Sequence, residues 1–308
     1  MRKKTSYILG ILLTILIGTL LYIYLCCSEC CGKKESGDNL PKEEQVDIKT
    51  ATKNAFLISD AKGDFKIEIP DNFNFKTSDF SILEPVSANI DSEVLKLKDY
   101  LISNPLKDLE ITGFYKSDEV NNSAYPNLGL ARANAVKNYL VTHGVPAKQI
   151  DTFGKLNDDI NPDKANMLFG PLQFNMITLD ASDTSVLEAL EKECDSVRKN
   201  PIVLHFKTGQ AAISLTSEQR QKIAAISHCV DKLGVKVQVV GHTDKTGDAT
   251  QNIQLGLNRA DFASKYLIAN GILKDNIEVS SKGQSEPIAD NTTDEGKAQN
   301  RRTVITIN

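Results

Sequence analysis

The feature that most narrows what this chain can become is an internal echo. Leu128-Gly129-Leu130-Ala131-Arg132-Ala133 returns as Leu255-Gly256-Leu257-Asn258-Arg259-Ala260. Asn138-Tyr139-Leu140-Val141-Thr142-His143-Gly144-Val145 returns as Lys265-Tyr266-Leu267-Ile268-Ala269-Asn270-Gly271-Ile272. Asn74-Phe75-Lys76-Thr77-Ser78 returns as His205-Phe206-Lys207-Thr208-Gly209. Three echoes in one order make the first half a diverged copy of the second.

Each copy carries its own series of elements. In the first, Phe65 to Ile69 alternates like a strand, and a helix after Pro85 aligns Val86, Ile90, Val94, Leu97 and Leu101 on one stripe. Leu109 to Thr112 reads as a strand, Leu128 to His143 as a helix stopped by Gly144, and Gln149 to Phe153 and Leu172 to Leu179 as later strands. A connecting helix over 182–199 places Leu187, Leu190, Cys194 and Val197 at 3-4 spacing, with Asp183 or Thr184 at its start. The second copy opens with Ile202 to Phe206. Thr216-Ser217-Glu218-Gln219 is a capping box, and its helix turns Ile223, Ile226, Val230 and Leu233 inward. Val235 to Val240 is the next strand. A polar loop from Ser285 to Arg301 precedes a last strand, Thr303 to Ile307. Alternating strands and helices against one sheet predict an α/β chain of tandem βαβαβ-β domains, each an α+β two-layer sandwich.

Chemistry gathers where the strand ending at Val240 runs into Gly241-His242-Thr243-Asp244-Lys245-Thr246-Gly247. Asp244 stands at a strand end, and Arg259 on the early-middle turns of the next helix. A carboxylate and a guanidinium at one loop mouth suit a zwitterionic ligand, the first taking an ammonium and the second gripping a carboxylate. The alternative is a surface salt bridge worth under about 1 kcal/mol. His242 beside Asp244 lacks a nearby third His or Cys for a metal, and no Ser or Cys sits in an activating context for it to serve as a base. The expectation is no catalytic residue, no metal and no cofactor.

With Asn252, Leu255, Lys265-Tyr266-Leu267, Ser281 to Pro287, Asn291-Thr292-Thr293, Gly296 and Asn300-Arg301-Arg302, this stretch resembles the OmpA-like peptidoglycan-associated domain over roughly residues 200 to 308. The resemblance implies that Asp244 and Arg259 capture the free end of diaminopimelate in the peptidoglycan stem peptide. It further implies that Thr243 and Asn252 bond the ligand or shape the loop, that Leu255 walls the pocket, and that Asn300 fixes the loop. Arg301 and Arg302 enter a strand and point to opposite faces, so one can line the site; Arg301, at the loop end, is the candidate. Two residues depart from the family pattern: Lys297, where Arg is common, and Gly256, where Ser is common.

The first copy diverges where that chemistry would be. After Gly113 it reads Phe114-Tyr115-Lys116, so a base replaces the acid; Arg132 survives, and Phe169-Gly170-Pro171 stands in place of Asn-Arg-Arg. The first copy is therefore expected to be a spacer or protein-contact module, with Asp118 as the residue for any non-standard ligand.

The N-terminus sets the location. Arg2, Lys3 and Lys4 precede an uncharged run from Tyr7 to Leu25. At about 1.5 Å per residue the run is long enough to span a bilayer core, with the basic flank inside. A cleaved signal peptide would want small residues where Tyr22 and Tyr24 stand. Cys26, Cys27, Cys30 and Cys31 follow. They read as inter-chain or local disulfides in an oxidising compartment, with metal or redox chemistry as the alternatives, while Cys194 and Cys229 read as small buried hydrophobes. The expected layout is a basic tip, anchor and Cys cluster over 1–31, a polar tether over 32–50, the degenerate copy over 51–181 and the binding copy over 182–308. A net charge of -4 and the absence of Trp argue against a nucleic-acid partner.

These expectations describe a single-pass, inner-membrane-anchored periplasmic protein of a Gram-negative bacterium that binds peptidoglycan without making or breaking a bond. A homodimer or an envelope protein partner is compatible with them. The competing readings are a flagellar-stator-like component, disfavoured because the apolar run carries no acidic residue for ion conduction, a wall hydrolase using Asp244 and His242, and a purely structural interaction module.

Overall fold

The computed structural model describes residues 50–63, 65–205 and 213–308. The expected membrane span, the Cys26, Cys27, Cys30 and Cys31 cluster, nearly all of the tether and the Phe206 to Gly209 echo lie outside the described residues. Lys49–Asn308 forms one compact unit, and it is this unit that is described.

Its first stretch opens with a hairpin that the sequence pattern only half reveals. β1 (Phe56–Ser59) pairs antiparallel with β2 (Lys66–Ile69), joining Phe56 to Ile69. Then come β3 (Asn74–Lys76), helix α1 (Ala88–Ser103), β4 (Lys107–Tyr115), helix α2 (Leu128–Thr142), β5 (Ile150–Leu156), β6 (Met167–Phe169) and β7 (Leu172–Thr178). α1 begins where the Ser87 side chain accepts the Asn89 N–H, and it buries Ile90, Val94, Leu97 and Leu101, four of the five stripe residues; Val86 precedes the helix. α2 stops before Gly144, whose φ of +91° is the left-handed turn anticipated for it.

The second stretch consists of helix α3 (Ser185–Lys199), β8 (Ile202–His205), helix α4 (Ser217–Leu233), β9 (Val237–His242), helix α5 (Ala249–Ala269), β10 (Ile277–Gly283), helix α6 (Asp294–Asn300) and β11 (Arg302–Ile307). The Thr216 capping box is present in both directions: its hydroxyl accepts the Gln219 N–H at 3.2 Å, and the Gln219 side chain accepts the Thr216 N–H at 2.9 Å.

The two stretches share one strand plan. β4 runs parallel to β5 and antiparallel to β7; β9 runs parallel to β10 and antiparallel to β11. β11 is continuous and also carries β8 on its far side, giving the order β10-β9-β11-β8. In the first stretch the equivalent strand is cut by Gly170, at φ +60°, and by Pro171, which has no N–H for a ladder. β6 before the cut pairs with β3, and β7 after it pairs with β4.

The echoed glycines are used alike. A Cβ on Gly113 would overlap the Gly129 carbonyl, and one on Gly241 would overlap the Gly256 carbonyl. Strand and helix backbones therefore touch directly at the same place in each stretch, β4 on α2 and β9 on α5. That contact fixes Arg132 and Arg259, each three residues further along its helix, over the end of the adjoining strand.

The apolar faces form two cores. One joins Phe56, Ile58, Ile67, Phe73 and Phe75 to α1, Leu109 and Ile111 of β4, and Ala133, Val136 and Leu140 of α2. The other joins α4, β9, α5 and β11, and it includes Ala124, Tyr125 and Ala131 from the first stretch. α4 also meets the first stretch through buried polar groups. Lys137 pairs with Asp231, Lys232 reaches Asp108 at 2.8 Å and Asp151 at 2.9 Å, and the Tyr125 hydroxyl donates to Ser227 at 3.3 Å.

Several expectations are corrected. Cys194 and Cys229 are fully buried but are bonded to each other, because α3 packs on α4 with their Cα atoms 5.8 Å apart. Leu187 lies in the first turn of α3 and is half exposed; of the four, Leu190, Cys194 and Val197 are buried. The start of α3 does fall where expected: Thr184 is the N-cap residue, without a side-chain cap bond, and Asp183 accepts the Ser185 N–H at 2.9 Å. Leu233, the last residue of α4, is 37% exposed. The polar 285–301 segment contains α6, capped by the Thr293 hydroxyl on the Gly296 N–H at 3.0 Å.

Candidate ligand site at the end of strand β9

β9 ends at His242, and the chain turns through Asp244 to Gly247 before Asp248 caps α5 by accepting the Thr250 and Gln251 N–H groups. One buried asparagine holds this turn. The Asn252 side chain, 5% exposed, donates to Thr246 O at 3.1 Å and Gln284 Oε1 at 2.8 Å, with Asp244 O at 3.4 Å. A second, Asn300, is fully buried: its Oδ1 accepts the Ile288 and Ala289 N–H groups, and its Nδ2 donates to Ala289 O and Asn291 Oδ1. Asn291 Oδ1 in turn accepts the Lys245 N–H at 3.0 Å. The two asparagines thus preorganise the loops through backbone and side-chain bonds, and the four bonds of Asn300 use both ends of its amide.

The charged groups meet above this frame. The Asp244 carboxylate takes the Thr246 N–H at 2.9 Å and pairs with Arg301 Nη1 at 2.8 Å. Burial works to raise the Asp244 carboxyl, but the bonds from Arg301 and Thr246 outweigh it and hold the group below the usual carboxylate range, ionised at neutral pH. Arg259 donates Nη1 to the His242 carbonyl at 3.0 Å. Burial, and next the charge of Arg301, work against its protonation while Asp244 favours it, so the three groups share one electrostatic site. The direct partner of Asp244 is therefore Arg301, with Arg259 beside them. Two guanidiniums around one carboxylate leave a net positive charge, and Arg301 Nε is buried without a partner among the described residues.

The other expected residues fall differently. Thr243 is 3% exposed; its N–H goes to Gly283 O at 2.8 Å, and its hydroxyl is buried without a partner among the described residues. Leu255 is 43% exposed, one turn before Arg259 on α5. Arg302 does turn to the other face: it is 5% exposed and donates to Glu286 O at 3.1 Å. His242 is buried, and burial with the nearby Arg302 charge pushes its imidazole down to about 4, so it is neutral at physiological pH.

The first stretch repeats this geometry with one decisive addition. Arg132 Nη1 donates to the Phe114 carbonyl at 2.9 Å, just as Arg259 does to His242. Arg132, however, is fully buried, and a carboxylate lies across its guanidinium, with both oxygens of Glu119 accepting from Nη1 and Nη2. Asp79 O and Lys76 O take further donors of Arg132, while Glu119 also accepts the Ser78 N–H at 2.9 Å and the Lys116 N–H at 2.8 Å. Lys116 pairs with Asp118 at 3.2 Å, so the acid that meets Arg132 is Glu119 and not Asp118. Sequence reasoning passed over Glu119 because it lies three residues beyond the position aligned with Asp244.

The OmpA family model matches residues 74–166 and 205–301, both stretches in turn. The chain belongs to the OmpA family. Among curated relatives, the peptidoglycan-binding protein ArfA of Mycobacterium tuberculosis is 34% identical over 120 residues, 39% of this chain and 36% of that protein. The probable lipoprotein YiaD of Escherichia coli is 45% identical over 71 residues, 23% of this chain and 32% of that protein. The chain thus spans about a third of the length of these relatives. Of solved structures, the peptidoglycan-associated lipoprotein of Burkholderia pseudomallei is 23% identical, covering 34% of this chain and 89% of that one, with a TM-score of 0.28. The C-terminal domain of Helicobacter pylori MotB is 28% identical over 35% and 84%, with a TM-score of 0.29.

Proposed function

We propose that this OmpA-family chain binds peptidoglycan non-covalently through the Arg259–Asp244–Arg301 cluster, which receives the zwitterionic end of diaminopimelate. The observation that supports this most is the first stretch's own arginine. Where the sequence supplies an internal carboxylate, Glu119, it lies bidentate on Arg132, the group equivalent to Arg259. Arg259 is only partly buried, and no carboxylate of the described chain bonds to it. A ligand carboxylate taking that place would complete the same fork, and the ligand ammonium would share Asp244 with Arg301. No bond is made or broken.

In this reading the chain is a tandem of two OmpA-like domains behind a membrane anchor at Tyr7 to Leu25, and it joins the inner membrane to the wall. The first domain, over 51–181, is a self-filled copy that serves as a spacer or protein-contact module. The contacts of α4 with Lys137, Asp108 and Asp151 support a spacer that carries the second domain, 182–308, without play. The Cys194–Cys229 bond supports an oxidising compartment such as the periplasm.

The test is a comparison of wall chemistries. Soluble muropeptides containing diaminopimelate are titrated against the chain beside otherwise identical ones containing lysine, which lacks the distal carboxylate. Binding of the first and not the second is expected. Equal binding of both would remove the role given to Arg259.

A further inference from the structure

A groove of about 410 Å³ borders the same loop that carries Asp244. Lys245 and Lys282 flank it, Ile253 and Pro287 give it an apolar floor, and Gln284 and Asn291 add amide groups. Lys245 directly follows Asp244, so the charged cluster and the groove share the 244–247 turn. Their walls also share supports. Asn252, which holds the turn, bonds Gln284 at 2.8 Å, and Asn300, which holds the following loop, bonds Asn291 at 3.0 Å. The groove is thus as preorganised as the charged cluster.

Its chemistry is only partly matched from within. Ile253 is 46% exposed, a large apolar side chain left facing the groove. Lys282 has a partner in Glu286 at 3.2 Å, both half exposed. The Lys245 ammonium has no ion-pair partner among the described residues. One unpaired ammonium and a second in a solvent-exposed pair, over an aliphatic floor, suit a short anionic peptide segment, whose methylenes lie on Ile253 and Pro287 while a carboxylate meets Lys245 and competes with Glu286 for Lys282.

We propose that this groove is a second subsite, which binds a free backbone or side-chain carboxylate on the peptide residue adjoining the diaminopimelate held at the charged cluster. The inference rests on the wall-binding reading above and adds a specificity determinant to it. Lys245 and Lys282 would distinguish a peptide with a free carboxylate at that position from one in which it is amidated.

The experiment is isothermal titration of the full chain in detergent with three probes. They are free diaminopimelate, a peptide in which the residue before diaminopimelate carries a free carboxylate, and the same peptide with that carboxylate amidated. The acidic peptide should bind the wild type about three- to tenfold tighter than the amidated one, the range for one or two exposed ion pairs. In the Lys245→Ala/Lys282→Ala double variant the two peptides should bind alike, while free diaminopimelate binds as in the wild type. An acidic-peptide preference that survives the double substitution, or one absent from the wild type, overturns the subsite alone. Failure of all three probes to bind the wild type overturns the subsite together with the wall-binding reading.

Discussion

Replacing Glu119 by Ala should be among the most damaging single changes in the first stretch, although the residue belongs to no apolar core. Arg132 is fully buried and uses all three guanidinium nitrogens: Nε to Asp79 O, Nη1 to Phe114 O and Glu119, Nη2 to Lys76 O and Glu119. Without Glu119 three carbonyl bonds remain, but the charge has no counter-ion. Breaking one side of a buried ion pair costs about 3–5 kcal/mol. The Ser78 and Lys116 N–H groups also lose their acceptor, at about 1 kcal/mol each where water does not replace it. Urea unfolding of Lys49–Asn308 should therefore show a loss of at least about 3 kcal/mol for Glu119→Ala. The double change Glu119→Leu with Arg132→Met removes both charges and should recover most of that loss. Arg259→Ala supplies the contrast in the second stretch. Arg259 is partly exposed and, among the described residues, carries one hydrogen bond, to His242 O, so its loss should cost about 1 kcal/mol or less. A Glu119→Ala cost below about 1 kcal/mol, or equal costs at the two sites, would refute the idea that the first site is filled and the second open.

Three further outcomes follow from the same contacts. Reduction of the Cys194–Cys229 bond, which closes 35 residues of chain, should lower stability by about 4 kcal/mol in a loop-entropy treatment; an unchanged urea midpoint under reductant would contradict it. Gly256→Ser, which installs the residue common in the family, should destabilise this chain by about 1–3 kcal/mol. A Cβ there would stand 2.9 Å from Gly241 O and overlap Ser281 Oγ, and a neutral or stabilising result would show that α5 can slide on β9. His228 is raised to about 9 because its ring donates to the Asp151 carboxylate and next to that of Glu193. Because the folded state holds this proton more tightly, the contribution is complete below about pH 6.5 and lost as pH climbs through 9. His228→Gln should flatten that alkaline loss in stability measured from pH 6 to 10, and parallel wild-type and variant curves would refute it.

Local patterns made much of this architecture legible. Strand alternation marked β2 and β4, the Thr216–Gln219 box marked the start of α4, and the echoed Gly-x-x-Arg segments marked the helices that follow the central strands. The alternation of side chains at a strand entrance separated Arg301 from Arg302, and the structure places them on the two sides expected. What escaped depends on where distant segments meet. The Cys194–Cys229 bond needs α3 against α4, and nothing local distinguishes a helical Cys facing another Cys from one facing Leu. The pairing of Asp244 with Arg301 spans 57 positions and depends on where β11 enters the sheet. Glu119 escaped because a loop can bring its carboxylate to Arg132 from any of several offsets, which an alignment of motif positions cannot see. Thr243 and Leu255 show the complementary limit: the motif gives their positions, but only packing determines that one is enclosed and the other open.

The most direct test of the central claim is co-sedimentation of Lys49–Asn308 with isolated sacculi that contain diaminopimelate, comparing wild type, Asp244→Ala and Arg259→Ala, with folding checked by circular dichroism. The account predicts that the wild type sediments with the wall and that both folded variants stay in solution. A wild type that remains in the supernatant, or variants that sediment with it, would contradict the account.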